Sequence, residues 1–233
     1  MRTPARQNSA GVLGAIAPDQ HPGLVDRVVE HVFAAVSEGR WAPGTEVTED
    51  QIAADFGVSR TPVREAVRRL AEMGVLVVRP RCGLEVASFD EEDLRQITAL
   101  RGELECFALR LAMARMEAGE VEALVQAAAA CEAKLKSGDR VEVFRADSRF
   151  HLLLAEFSGN LHLADTLRRL DVKVQLCRMV FCASMPKIRE SVRAHRALLE
   201  AIRAKRPAKA EALLREHVLQ SVRVFQIKPE ARA

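Results

Sequence analysis

Strand-forming sequence is confined to one short stretch of this 233-residue chain, and that confinement narrows the folds open to it. Val75-Leu76-Val77-Val78 and Leu84-Glu85-Val86-Ala87 flank Pro80-Arg81-Cys82-Gly83, the pattern of a hairpin around a Pro/Gly turn. Three helical patterns precede it. Val25, Val28, Val29, Val32, Phe33 and Val36 share one helical face, which Gly39 closes. After a Pro43-Gly44 turn, Thr48 and Gln51 make a capping box for a second, short helix ending at Gly57. Ser59 is placed as the N-cap of a third helix, with Pro62 in its first turn and Gly74 at its end. From about residue 90 onward no strand signal returns. Six helical segments are expected at about 91–116, 119–136, 140–157, 161–182, 187–204 and 207–226.

Several function classes are excluded by composition. No apolar run approaches the roughly 20 residues that cross a bilayer, so no membrane-embedded role is expected. Five cysteines, an odd number without a CxxC pair, read as reduced thiols of a cytoplasmic protein. Ala10–Ala17 is short and broken by Gly11 and Gly14, and reads as part of a mobile tail rather than a leader. With 4% aromatics and no Tyr, the chain lacks the stacking platform of sheet-based RNA binders.

The third helix divides its faces by charge. Val63, Ala66, Val67 and Leu70 form an apolar side. Arg60, Arg64 and Arg68 repeat at i, i+4 and i+8 on the other, with Thr61 beside them. Guanidinium forks on such a face reach phosphates or guanine edges in a major groove. A solvated arginine face is the alternative for this helix taken alone. The surrounding charge decides between them. Between Arg60 and Arg81 there are six arginines against two acids, whereas between Gly23 and Ser59 there are two arginines against seven acids. The overall net charge of +3 conceals this polarity, which is the footprint of a polyanion binder.

The stretch GVSRTPVREAVRRLAEMGVLVVRPRCGLEVA resembles the winged helix-turn-helix of the GntR family of bacterial transcription regulators. The resemblance implies that Arg60, Thr61, Arg64 and Arg68 face double-stranded operator DNA, and that the wing, with Arg81 and Gly83, approaches the minor groove. One departure is Asp50-Gln51, where many members carry a basic residue.

In the C-terminal half, polar residues interrupt apolar stripes. Asp147 and His151 lie one turn apart on the inward side marked by Phe144, Leu154 and Ala155. His195 falls within the Ile188/Val192/Leu198/Leu199/Ile202 stripe, and His217 sits among Leu213, Leu214, Val218 and Val224. One carboxylate and three of the six histidines thus converge from three helices, which points to a divalent metal site. The donor set suits Zn first, with Ni, Fe or Mn as alternatives. Any one of these histidines alone reads as a satisfied core residue; the convergence is what favours a metal.

The segments LRGELECFALRLA, ADSRFHLLLAEFSGN, AHRALLEAI and LLREHV are similar to the all-helical FCD ligand-binding domain of FadR-like GntR regulators, in its six-helix, VanR-type form. The resemblance implies a metal held by Asp147, His151, His195 and His217. It also implies an inward Arg101 that clamps the carboxylate of a small organic-acid effector, against the alternative of an i, i+4 ion pair with Glu105.

The expectation is a mostly α protein. A mobile tail (1–22) precedes a winged helix-turn-helix (23–87), a linker (88–93), a six-helix bundle (94–227) and a C-terminal tail (228–233). It should act as a dimeric, ligand-responsive transcription regulator, most often a repressor in this family. Two alternatives are a metal-dependent enzyme fused to a DNA-binding module and a regulator whose metal is purely structural.

Overall fold

The computed structural model of the chain describes residues 23–37, 39–79, 83–181 and 184–224. The tails expected at 1–22 and 228–233 lie outside the described residues, as do Arg81 and the side chain of Val224.

The N-terminal unit runs α1 (Leu24–Ser37), β1 (Glu46–Val47), α2 (Glu49–Phe56), α3 (Arg60–Glu72), β2 (Leu76–Arg79) and β3 (Gly83–Val86). Thr48 caps α2 as a full capping box: its side chain accepts from the Gln51 N–H, and the Gln51 side chain accepts from the Thr48 N–H at 2.8 Å. Gly57 then takes φ 62°, a left-handed conformation that costs a residue with Cβ, and this bend sets α3 across α2. Ser59 occupies the N-cap position of α3, but its hydroxyl makes no capping hydrogen bond. The wing is the expected hairpin, with Arg79 opposite Gly83 and Leu76 opposite Val86. Gly83 also has a positive φ, of 94°, and an added Cβ would stand 3.4 Å from the Val47 carbonyl oxygen.

A third strand was not expected. Glu46–Val47 pairs antiparallel with β3, giving the sheet order β1-β3-β2. Two residues carry no periodicity of their own, so this strand exists only because β3 offers it an edge. Val28, Val32, Val36, Val63, Ala66, Leu70 and Leu76 close the apolar core between α1, α3 and the sheet.

The C-terminal unit is an all-helical bundle. Its helices are α4 (Glu91–Met113), α5 (Ala118–Lys134), α6 (Arg140–Phe157), α7 (Leu161–Val180), α8 (Met185–Arg203) and α9 (Pro207–Val224). α4 starts at Glu91, inside the stretch 88–93 read as linker, because Asp90 and Asp93 form a capping box there. Phe89, next to this cap, packs against both the winged core and the helical core. No described helix is long and apolar enough to cross a membrane.

Candidate metal centre and nucleic-acid interface

The two candidate sites obey opposite physical rules. On α3, burial of Val63, Ala66, Val67 and Leu70 turns Arg60, Thr61, Arg64 and Arg68 to solvent. Gly83 is likewise exposed at the tip side of the wing. The arginines are engaged with acids. Arg60 forks onto Asp50, with Nε 2.6 Å from Oδ1 and Nη2 2.9 Å from Oδ2. Arg64 Nε donates to Glu49 at 3.0 Å, and Arg68 meets both Glu65 and Glu72. Exposed pairs of this kind are worth at most about 1 kcal/mol each, so a phosphate displaces them readily. The departure seen in the sequence at Asp50 thus has a local partner: that carboxylate pairs with Arg60 of α3.

The second site is fully interior. Asp147 and His151 from α6, His195 from α8 and His217 from α9 are all buried, and one donor atom from each lies within 4.8 Å of the others. His151 Nε2 faces His217 Nε2 at 3.1 Å; His195 Nε2 is 3.4 Å from Asp147 Oδ1, and His151 Nε2 is 3.7 Å from Asp147 Oδ2. Two ligands bound to one ion by bonds of about 2.1 Å stand roughly 3.0–3.4 Å apart, so the first two of these spacings suit a shared cation. Both ring nitrogens of His195, and Nδ1 of His217, are buried without a hydrogen-bond partner among the described residues. Unpaired polar atoms in an interior are costly. For His195 Nε2, a cation between it and Asp147 would remove that cost.

Two neighbours complete the arrangement. Glu105 on α4 takes a hydrogen bond from His151 Nδ1 at 2.7 Å, with Nε2 of the same ring turned to the cluster. Arg101, one turn before Glu105, donates from Nε to Glu105 Oε1 at 2.5 Å. Arg101 is therefore inward, as expected, and its ion pair with Glu105 is formed. Its Nη2 is buried with no hydrogen-bond partner among the described residues. On the opposite side, Arg178 of α7 donates through Nη2 to Asp147 Oδ2 and through Nη1 to the Phe144 carbonyl at 3.3 Å.

Protonation follows from these contacts. Burial pushes the His195 pKa down to about 4, and burial beside His195 and His151 carries His217 well below its ordinary value. Both imidazoles are thus neutral and able to ligate. Burial opposes ionisation of Asp147, but the Arg178 guanidinium beside it outweighs that and holds the carboxyl well below the usual range. For Glu105 the burial effect is likewise outweighed by Arg101 and His151, which bring it to about 2. Cys106, Cys131 and Cys177 are buried free thiols outside the cluster.

Sequence reasoning named the four clustered residues and Arg101 but assigned no role in the site to Glu105 or Arg178. For Arg178 a signal existed: Asp171, Gln175 and Arg178 repeat at i, i+4 and i+7, a polar stripe on a helix whose neighbouring stripe is core.

Comparison with known proteins agrees with both halves. Residues 24–86 match the family described as bacterial regulatory proteins, gntR family, and residues 96–220 match the FCD domain. The chain belongs to the GntR family. It is 30% identical over 185 residues to YdhC, an HTH-type transcriptional regulator of Bacillus subtilis, covering 79% of this chain and 81% of that protein. It is also 30% identical over 201 residues to a probable D-xylose utilization operon transcriptional repressor of Paenarthrobacter nicotinovorans, covering 84% and 85%. Among solved structures, Escherichia coli McbR/YncC superposes with a TM-score of 0.76 at 24% identity, covering 87% of this chain and 97% of that one, and shares the fold. This GntR protein is a transcription regulator and not an enzyme, so the reading as a metalloenzyme with a DNA-binding module falls.

The buried charges set the pH response. His195 stays neutral in the fold down to about pH 4, while the unfolded chain takes up its proton near 6.5. Stability of the metal-free protein therefore falls as pH drops from 6.5 to 4, then again from 4.5 to about 2 as Glu105 is protonated. Urea midpoints measured from pH 7.5 to 4 should decline, and His195→Phe, able to stack on Phe150, should lessen that decline, with His217 supplying the remainder. A midpoint independent of pH over this range contradicts the assignment.

Proposed function

We propose that this GntR protein is a cytoplasmic, metal-containing repressor that binds palindromic operator DNA as a homodimer and is released by a small organic acid. The observation that carries it is the pairing, in one chain, of an exposed arginine face on α3 with a buried one-carboxylate, three-imidazole cluster. The repressor assignment draws on relatives named as repressors, among them RspR of Escherichia coli.

Asp147, His151, His195 and His217 would hold the metal, Zn first with Ni, Fe or Mn as alternatives. When bound, the ion supplies a Lewis-acidic anchor for a carboxylate. Arg101 supports the same ligand class, because its unpaired Nη2 is a buried cationic donor. The cavity bordered by Arg101, Glu105, His151, Leu167 and Asp171 holds only about 10 Å³, room for a single water. An acid bound there has to part α4 from α7, so ligand binding and helix position become one event. Effector and operator then weaken each other's binding by the same factor.

The homodimer has a candidate face. Six large hydrophobic side chains are exposed among the described residues, and four of them (Leu100, Phe107, Leu161 and Leu219) lie on α4 and its neighbours α7 and α9. Leu100 and Phe107 are two turns apart on α4. A two-fold axis crossing α4 between Glu103 and Leu104 sets Leu100 of one protomer against Phe107 of the partner subunit, the self-complementary pairing a symmetric interface requires.

Three experiments test these assignments. Arg60→Ala/Arg64→Ala should abolish a gel shift on an operator fragment obtained by selection while leaving metal content unchanged; retained binding removes α3 from the interface. Small carboxylic acids should raise the thermal midpoint of the metal-loaded protein, and chelator should abolish that gain. An equal gain after chelation from a folded protein makes the metal purely structural. Leu100→Glu/Phe107→Glu should give a monomer by light scattering, and a dimer of unchanged mass moves the interface elsewhere.

A further inference from the structure

Three consecutive residues of α7 enter three different environments. Leu176, 1% exposed, belongs to the apolar core of the winged domain, and Val172 one turn earlier packs against that core. Cys177 is buried in the helical domain with Leu94, Cys131 and Ile188. Arg178 reaches the candidate metal centre, where it donates to Asp147 and lies over the Phe144 ring at 5.0 Å. At about 100° per residue, Leu176 and Arg178 project from opposite sides of the helix. A single turn of α7 therefore carries one side chain rooted in each domain.

The helix is tied on both sides. Toward α6, Ser148 Oγ donates to Asp171 Oδ1 at 2.6 Å, and the Gln175 amide donates to Ser148 and to the Phe144 carbonyl at 3.2 Å. Toward the winged domain, Lys173 lies against the end of the recognition helix, its Cε 3.4 Å from where a Cβ on Gly74 would stand. Asp147 links α7 to the cluster. Oδ2 accepts from Arg178, while Oδ1 faces His195. Moving that carboxylate without Arg178 would leave a buried guanidinium without its counter-charge, which is strongly unfavourable.

We infer that α7 transmits the state of the metal centre to the DNA-binding domain, with Arg178 as the positioning residue that ties Asp147 to the helix and Leu176 as its foot in the winged core. The inference rests on the metal reading above. Loading the centre fixes Asp147; Arg178 follows it, α7 follows Arg178, and the seat of α1 and α3 on Leu176 and Lys173 is set by the same movement. Packed interiors respond to such shifts by switching between discrete arrangements, so a displacement well under a helix turn suffices.

The test uses the full chain, Zn alone as the probe, and amide hydrogen exchange as the readout. In the wild type, Zn should slow exchange severalfold in α6, α8 and α9, and also in α1 and the C-terminal turn of α3. Leu176→Ala, which does not touch the metal centre, and Arg178→Gln, at saturating Zn, should keep the response in α8 and α9 and lose most of it in the winged domain. Arg178→Lys, which keeps a cation beside Asp147, should restore part of it. A winged-domain response undiminished in both Leu176→Ala and Arg178→Gln overturns the inference, as does a wild type in which Zn slows exchange in the helical domain only. Absence of any Zn response in α6, α8 and α9, together with no bound Zn by elemental analysis, overturns the metal reading itself and is separable from failure of the α7 link.

Discussion

A carboxylate removed from water is tolerated only where other charges and hydrogen bonds replace the solvent, and Asp147 imposes that condition on the whole helical domain. Its answer is Arg178 on Oδ2 and three imidazoles clustered around the carboxylate. A second buried pair, Arg101 with Glu105, then orients His151 from behind. These groups come from α4, α6, α7, α8 and α9, so five helices meet in one polar network. The helix that supplies none of them, α5, closes the bundle with Leu124, Ala128 and Cys131. Packing of the apolar stripes brings the helices together, but the network dictates their register, because a one-residue slip would leave a charge buried alone.

The winged domain follows the reverse scheme. Its core is aliphatic, and its charges stay outside in pairs that water screens. Weak pairs suit a surface that must exchange carboxylate partners for phosphate. The strongly coupled charges are kept where a metal or a small acid would act on them, and the weakly coupled ones where DNA would. α7 is the element that belongs to both schemes.

Local chemistry made much of this legible. The capping box at Thr48 and Gln51, the left-handed Gly57, and the β-branched runs around the wing turn are signals spanning a few residues each, and the structure repeats them. The helix boundaries follow for the same reason. β1 was not legible, because Glu46–Val47 is a strand only by virtue of its partner. In the site, Asp147 and His151 stood out as polar residues one turn apart on an apolar stripe, and His195 and His217 as isolated intruders. Arg178 carried a comparable signal, yet an arginine on a helix reads as solvated until the helix opposite it is known.

What the sequence determined by itself was therefore the order of elements, the charge division of the recognition helix and which four polar residues gather in the helical core. All of these depend on spacing along the chain, which a helix or hairpin converts directly into position. Tertiary structure alone decided that Glu105 stands behind His151, that Arg178 takes Asp147, and that Leu176 crosses into the neighbouring domain. Those contacts join residues 31 to 46 positions apart, or residues of different domains. Their meaning lies in which helix face meets which, and only the packed bundle settles that.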